Sequence, residues 1–200
     1  MLYAAAGASI LTVIGFFAGY LVHTRSLRAW RAVDALMLFL FAVPSTVLGI
    51  GLVLVWNQPW SGLIYGTPAI LLLGYAAQYT ALTSRATVAT LSQIPHSMED
   101  AAQVCGASWP RRLLVIIGPL ASRGLLAGWL VAYLFCLRDV GISMIVYPPG
   151  YDPLPVRTFT LMANGAPELI AALCMLMIGA ALLPLAASGL LKGGVRGGIS

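Results

Sequence analysis

Few side chains in this 200-residue sequence are of kinds that make or break bonds, and their spacing keeps them apart. His23 and His96 each lie at the edge of an apolar run with no second ligand nearby in sequence. Cys105, Cys136 and Cys174 are odd in number, widely spaced and flanked by apolar neighbours. A metal site or disulfide framework needs closely set ligands or paired thiols. An intramembrane protease or lipid transferase needs a nucleophile beside a base, paired acids or a metal cluster. The pattern therefore implies no catalytic residues, no metal and no cofactor. The chemistry that remains is charge: the adjacent acids Glu99 and Asp100 in a polar stretch, and the adjacent pair Arg138 and Asp139 at the far end of an apolar one.

The elements that must position these charges follow from composition. With 60% apolar and 8% charged residues, the chain cannot clothe a soluble core in polar surface, and the bilayer is its solvent. The net charge of +5 is scattered and not interleaved with aromatic rings, which excludes a nucleic-acid groove. A helix needs about 20 mostly apolar residues to cross a ~30 Å hydrocarbon core. Five stretches meet this or nearly do: Leu2 to Val22, Ala35 to Trp56, Thr67 to Ser84, Leu120 to about Val146, and Leu169 to Leu191. The expected fold is an all-α polytopic transmembrane bundle, one domain over 1–200, with no removable signal peptide at Met1. Gly15 with Gly19, and Gly124 with Gly128, have the small-xxx-small spacing that lets helix backbones approach closely.

Basic residues set the orientation. Arg25, Arg28, Arg31, Arg85, Arg111, Arg112, Arg123, Lys192 and Arg196 share one side, against Arg138 and Arg157 on the other. The Met1 end is expected outside and the Ser200 end in the cytoplasm, with Trp56, Trp60 and Tyr65 at the outer interface. Fifteen residues from Arg123 advance a helix by ~22 Å. That places Arg138 and Asp139 in the outer third of the membrane, as candidates to line a pathway. Prolines stiffen the outer segment Tyr147 to Asn164, and Glu168 suits the first turn of the last helix.

The inner loop, 86–119, is too polar to span and too long for a simple connection. Ser97 is expected to cap a short helix in an approximate capping box with Asp100, and Gly106 to stop it. Ser108-Trp109-Pro110 then starts a second helix running towards Pro119.

The stretch from Glu99 to Pro119 resembles the EAA loop of ABC importer permeases, whose pattern is E-A-A, three residues, G, nine residues, I-x-L-P. Asp100, Ala101, Ala102, Gly106, Ile116 and Pro119 fall in register, with Asp100 in place of the glutamate, Glu99 just before it, and Gly118 in place of the leucine. Val43 to Gly49 looks like the family's kinked second span. Arg138 to Gly141 and Tyr147 to Arg157 resemble the carboxy-terminal half of iron(III)-type permeases. The resemblance implies that Glu99, Asp100, Ala101, Ala102, Gly106, Ile116 and Pro119 form a coupling element seated on cytoplasmic ATP-binding subunits. It also implies a second permease half and a periplasmic substrate-binding protein as partners, and a bacterial inner-membrane location. ATP hydrolysis would lie in a separate subunit. The expected substrate is iron(III), although permeases for thiamine, phosphonate, polyamine and oxyanions share the same loop. Against relatives in which two six-span halves are fused, the chain resembles one half without its first span, either truncated or split. A secondary transporter is disfavoured by the lack of an internal repeat.

Overall fold

The computed structural model of the protein describes residues 1–150 and 152–196. Nine helices and one short 3-10 turn, Pro59–Ser61, make up its regular structure among the described residues, with no strand. They are α1 (Leu2–Thr24), α2 (Trp30–Ala42), α3 (Ser45–Trp56), α4 (Pro68–Leu91), α5 (His96–Val104), α6 (Trp109–Arg138), α7 (Ser143–Val146), α8 (Leu154–Asn164) and α9 (Pro167–Arg196). The all-α expectation holds.

Among the described residues, three helices are long and apolar enough to cross a bilayer: Leu2–Thr24, Trp109–Arg138 and Pro167–Gly189. The expected second span is not one rod. Pro44 has no N–H to donate and disfavours helical geometry at the residue before it. Val43 accordingly turns extended, at φ −65° and ψ 133°, and the chain breaks into α2 and α3. The bent pair counts as a fourth span only if taken together. The remaining expected span, α4, has 24 residues but is too polar to qualify by composition. Its polarity is handled internally: Thr80, Thr87 and Thr90 each donate to the carbonyl four residues back, and Gln78 Nε2 donates to the Val43 carbonyl at 3.1 Å, at the break.

Two compact units are present. One takes in Gly7–Pro44 and Tyr75–Ala132. Within it α1 and α6 lie on α4 through glycine. A Cβ on Gly19 would come within 2.7 Å of Thr87 Cβ, and one on Gly124 within 2.6 Å of Thr90 Cγ2. Gly15 meets Thr83 and Gly128 meets Ala86, so both small-xxx-small pairs seat on the same hydroxyl-rich helix. Thr83 Oγ1 adds a hydrogen bond of 2.7 Å to the Leu11 carbonyl. Phe16, Tyr20, Leu91, Leu113, Ile117 and Ala121 close the apolar core near the polar loop.

The other unit comprises Met1–Ala6, Ser45–Gly74 and the described residues from Tyr133 onward. Gly49 of α3 approaches Ile145 of α7, and a Cβ on Gly141 would come within 2.5 Å of Ser45 Cβ. Tyr133 donates to the Ala180 carbonyl of α9 at 3.1 Å. The Tyr147 to Asn164 segment, expected as a stiff loop, folds from Leu154 into α8 with Pro155 in its first turn, and Arg157 lies 4.0 Å from Asp152.

Candidate functional site: the α5 loop and the base of α6

Helix α4 persists to Leu91, past the expected end at Ser84, and α6 begins at Trp109, so the non-helical part of the inner loop shrinks to two short links around α5. The expected capping box is absent. Pro95 occupies the N-cap position at φ −61° and ψ 131°, and no side chain caps the helix. Its extended geometry starts α5 one residue before Ser97.

The carboxyl end of α5 matches expectation closely. Gly106 takes φ +79°, a conformation that costs an L side chain about 1–2 kcal/mol. The Gly106 amide donates to Gln103 O at 2.9 Å and the Ala107 amide to Ala102 O at 3.0 Å, the paired bonds of a Schellman stop. The chain is thereby turned straight into α6.

The second helix of the loop does not end at Pro119. It continues as α6, and residues Arg112–Ile117 adopt a wider π turn, with the Gly118 amide bonded to Leu113 O. A proline inside an α-helix clashes with the carbonyl four residues back and leaves it without a donor. Widening the preceding turn relieves both problems, and Gly118, where a Cβ would lie 3.1 Å from Leu113 O, fits the crowded carbonyl. Ile116 is half-buried in this turn and Pro119 is exposed just after it.

Glu99 points back into its own chain. Tyr20 donates its hydroxyl to Glu99 Oε1 at 2.7 Å, and Arg112 Nε lies 3.9 Å from the same oxygen. Arg112 Nη1 also donates to Gln103 Oε1, and the Tyr20 and Trp109 rings meet edge to face at 6.1 Å. Helix α5 is therefore pinned both to α1 and to the first turns of α6. Its other face is bare: Asp100, Ala101 and Cys105 are exposed, as are Met98 and, at 88%, Val104. Ala102 is half-buried beneath it.

Arg138 and Asp139 separate as adjacent helical residues should. Arg138 is exposed at the end of α6, with its guanidinium 4.6 Å from the Phe135 ring centre. Asp139 is only 4% exposed and accepts from both the backbone N and the hydroxyl of Ser143, each at 2.9 Å. The carboxylate thus ties the link after α6 to the first turn of α7. The expected helix running on to Val146 stops at Arg138 instead.

Compared with known proteins, residues 11–192 match the family model described as "Binding-protein-dependent transport system inner membrane component". The chain belongs to that family. Members similar to it include the spermidine/putrescine transport system permease protein PotC of Haemophilus influenzae, 26% identical over 86% of this chain and 65% of that protein. The putative ferric transport system permease protein FbpB 1 of the same organism is 26% identical over 80% of this chain but only 25% of its own length. The chain thus spans about two thirds of one relative and a quarter of the other. In fold it resembles a chain of the inward-facing MetNI methionine ABC transporter, with a TM-score of 0.72 at 17% identity, covering 97% of this chain and 93% of that one. The expected ABC permease fold is borne out.

For this family member, the helix stop at Gly106 is legible in the sequence. Tyr20 and Arg112, which hold Glu99, belong to no motif that marks them as its partners in the sequence. Tyr20 lies 79 residues from its partner, and no periodicity links them. The available signal was a tyrosine near the basic end of an apolar span, where a hydroxyl needs a partner.

Proposed function

We propose that the chain is the membrane-spanning permease of an ATP-driven importer in the bacterial inner membrane, with the Met1 end outside and the Ser200 end cytoplasmic. Helix α5 seats on a cytoplasmic ATP-binding subunit. The observation that carries this reading is the two-sidedness of α5: one face bare, the other fixed by Glu99 to Tyr20 and Arg112. Ala101 and Ala102 allow close approach, and Asp100 offers a carboxylate to basic groups of the partner. Gly106, Ile116 and Pro119 set how α5 joins α6. Motion of the partner then reaches α6 through the Gly106 corner and α1 through the Glu99 bond.

A second permease half, the same chain or another, completes the pathway, and a periplasmic binding protein delivers the substrate. Arg138, exposed as the last residue of α6, is the pathway candidate, while Asp139 holds the wall in shape. For substrate, the outer-half resemblance favours iron(III), and the relatives' names add polyamines; uptake of labelled iron(III) and putrescine by cells carrying the complete system distinguishes them.

The test of the coupling reading is copurification together with labelling of exposed Cys105. A nucleotide-binding subunit should copurify in stoichiometric amount, and Ala101→Arg should abolish that without lowering permease yield. An impermeant maleimide should reach Cys105 in inside-out vesicles and be blocked when the subunit is bound. Labelling of Cys105 from outside intact cells would overturn the reading.

A further inference from the structure

Beside the coupling element, within the same unit, a cleft of ≈ 480 Å³ opens along the basic end of α1. Its lining changes character along the helix axis. Phe17 and Leu21, one turn apart, make an apolar end, and Phe17 is 44% exposed. Thr24 and Ser26, whose hydroxyl oxygens lie 3.2 Å apart, make a polar end together with Arg112. Trp109 stands half-exposed on the wall.

The charge around the polar end is one-sided. Arg25 and Arg28 flank the lining residues Ser26 and Leu27 in the chain, Arg111 precedes Arg112, and all three are exposed. Glu99 offsets only part of this, through its 3.9 Å pairing with Arg112. Arg25 is held at φ +52°, so the chain leaves α1 in a tight left-handed turn that keeps these residues together at the helix end. Arg112 Nε is buried without a hydrogen bond.

We propose that this cleft seats one anionic phospholipid. Its phosphate lies among Thr24, Ser26 and the arginines, and an acyl chain runs along Phe17 and Leu21. A free small anion would use only the polar end and leave Phe17 exposed. The cleft instead repeats the order of a phospholipid, charged head to apolar tail, along a helix that spans the membrane. Basic sites at the cytoplasmic ends of spanning helices attract anionic headgroups, and Trp suits that interface. Because Arg112 also holds Glu99 and Gln103 of α5, the bound lipid steadies the coupling element. The inference rests on α1 crossing the membrane and needs no ATPase contact, so it can fail while the coupling reading stands.

The test is quenching of tryptophan fluorescence in the full-length protein reconstituted in phosphatidylcholine vesicles. Brominated phosphatidylglycerol should quench more than brominated phosphatidylcholine, and the excess should vanish in Trp109→Phe. Arg25→Gln with Arg28→Gln should weaken the phosphatidylglycerol effect about tenfold or more, as should high salt. Equal quenching by the two lipids would overturn the proposal, as would an excess that survives in Trp109→Phe. Displacement of the lipid by inorganic phosphate alone would show a small-anion site and overturn it too. Loss of the excess on adding the copurified nucleotide-binding subunit would give the cleft to a protein partner instead.

Discussion

The Tyr20 hydroxyl donates to the Glu99 carboxylate across 79 residues of chain, joining the end of the first spanning helix to the exposed helix α5. A hydrogen bond to a charged acceptor contributes about 1.5–3 kcal/mol. Tyr20→Phe should therefore raise amide hydrogen exchange through 96–105 by about tenfold or more at little cost to the rest of the bundle. Unchanged exchange in that segment would remove the bond from the account of coupling.

Gly106 is free of crowding, with nothing within 4 Å of the place a Cβ would take, so its requirement is purely one of backbone conformation. Gly106→Ala should destabilise the α5 corner by about 1–2 kcal/mol, and Gly106→Asn by less, since Asn tolerates the left-handed region. Comparing the two by hydrogen exchange separates conformation from packing.

The glycines at the α4 interfaces behave oppositely. Gly19→Leu and Gly124→Leu would each drive a side chain into Thr87 or Thr90 and should cost about 1–3 kcal/mol or more. Gly51→Leu, with open space around it, should be tolerated. Thermal melting of the detergent-solubilised chain gives the ordering directly.

Asp139 and its neighbour should part company on substitution. Asp139→Ala strips two bonds from Ser143 in a buried position and should lower the melting temperature markedly. Arg138→Gln, losing an exposed contact with Phe135, should leave stability nearly unchanged and change only transport. A stable Asp139→Ala protein that fails to transport would instead make Asp139 a pathway residue.

Asp34 and Arg85 meet at 2.8 Å, from α2 to α4. The pair is half-exposed on the arginine side, so in water it would contribute no more than about 1 kcal/mol. A double-mutant cycle with Asp34→Asn and Arg85→Gln measures it in the bilayer; a coupling above that value means that lipid, not water, surrounds the pair.

The apolar runs made most of the fold legible in advance, because twenty residues without charge have few alternatives to crossing a membrane. Gly106 was legible for a similar reason: few other residues end a helix that way. The sequence hides the places where polar groups satisfy one another inside the protein. The hydroxyls of α4 lower its apparent apolarity and hide its run past Ser84 to Leu91, although α1 and α6 cover them. Ser97 resembled a cap although Pro95 already set the chain's entry into α5. Asp139 looked like a pathway charge because the sequence carries the helix on to about Val146, whereas it ends at Arg138 and leaves the Asp139 carboxylate to accept from Ser143.

The widened turn at Arg112–Ile117 also has a rotational meaning. A π turn holds one residue more than the α turn it replaces, and one residue of α-helix corresponds to ~100° about the axis. At its start Arg112 faces Glu99; beyond its end, Gly124 and Gly128 face α4. The widened turn absorbs that surplus residue and so keeps the two faces in phase. A one-residue deletion within it should close an ordinary α turn and leave the glycine stripe on α4, whereas the same deletion in the regular α turns that follow would swing the stripe off α4 with every side chain in it intact.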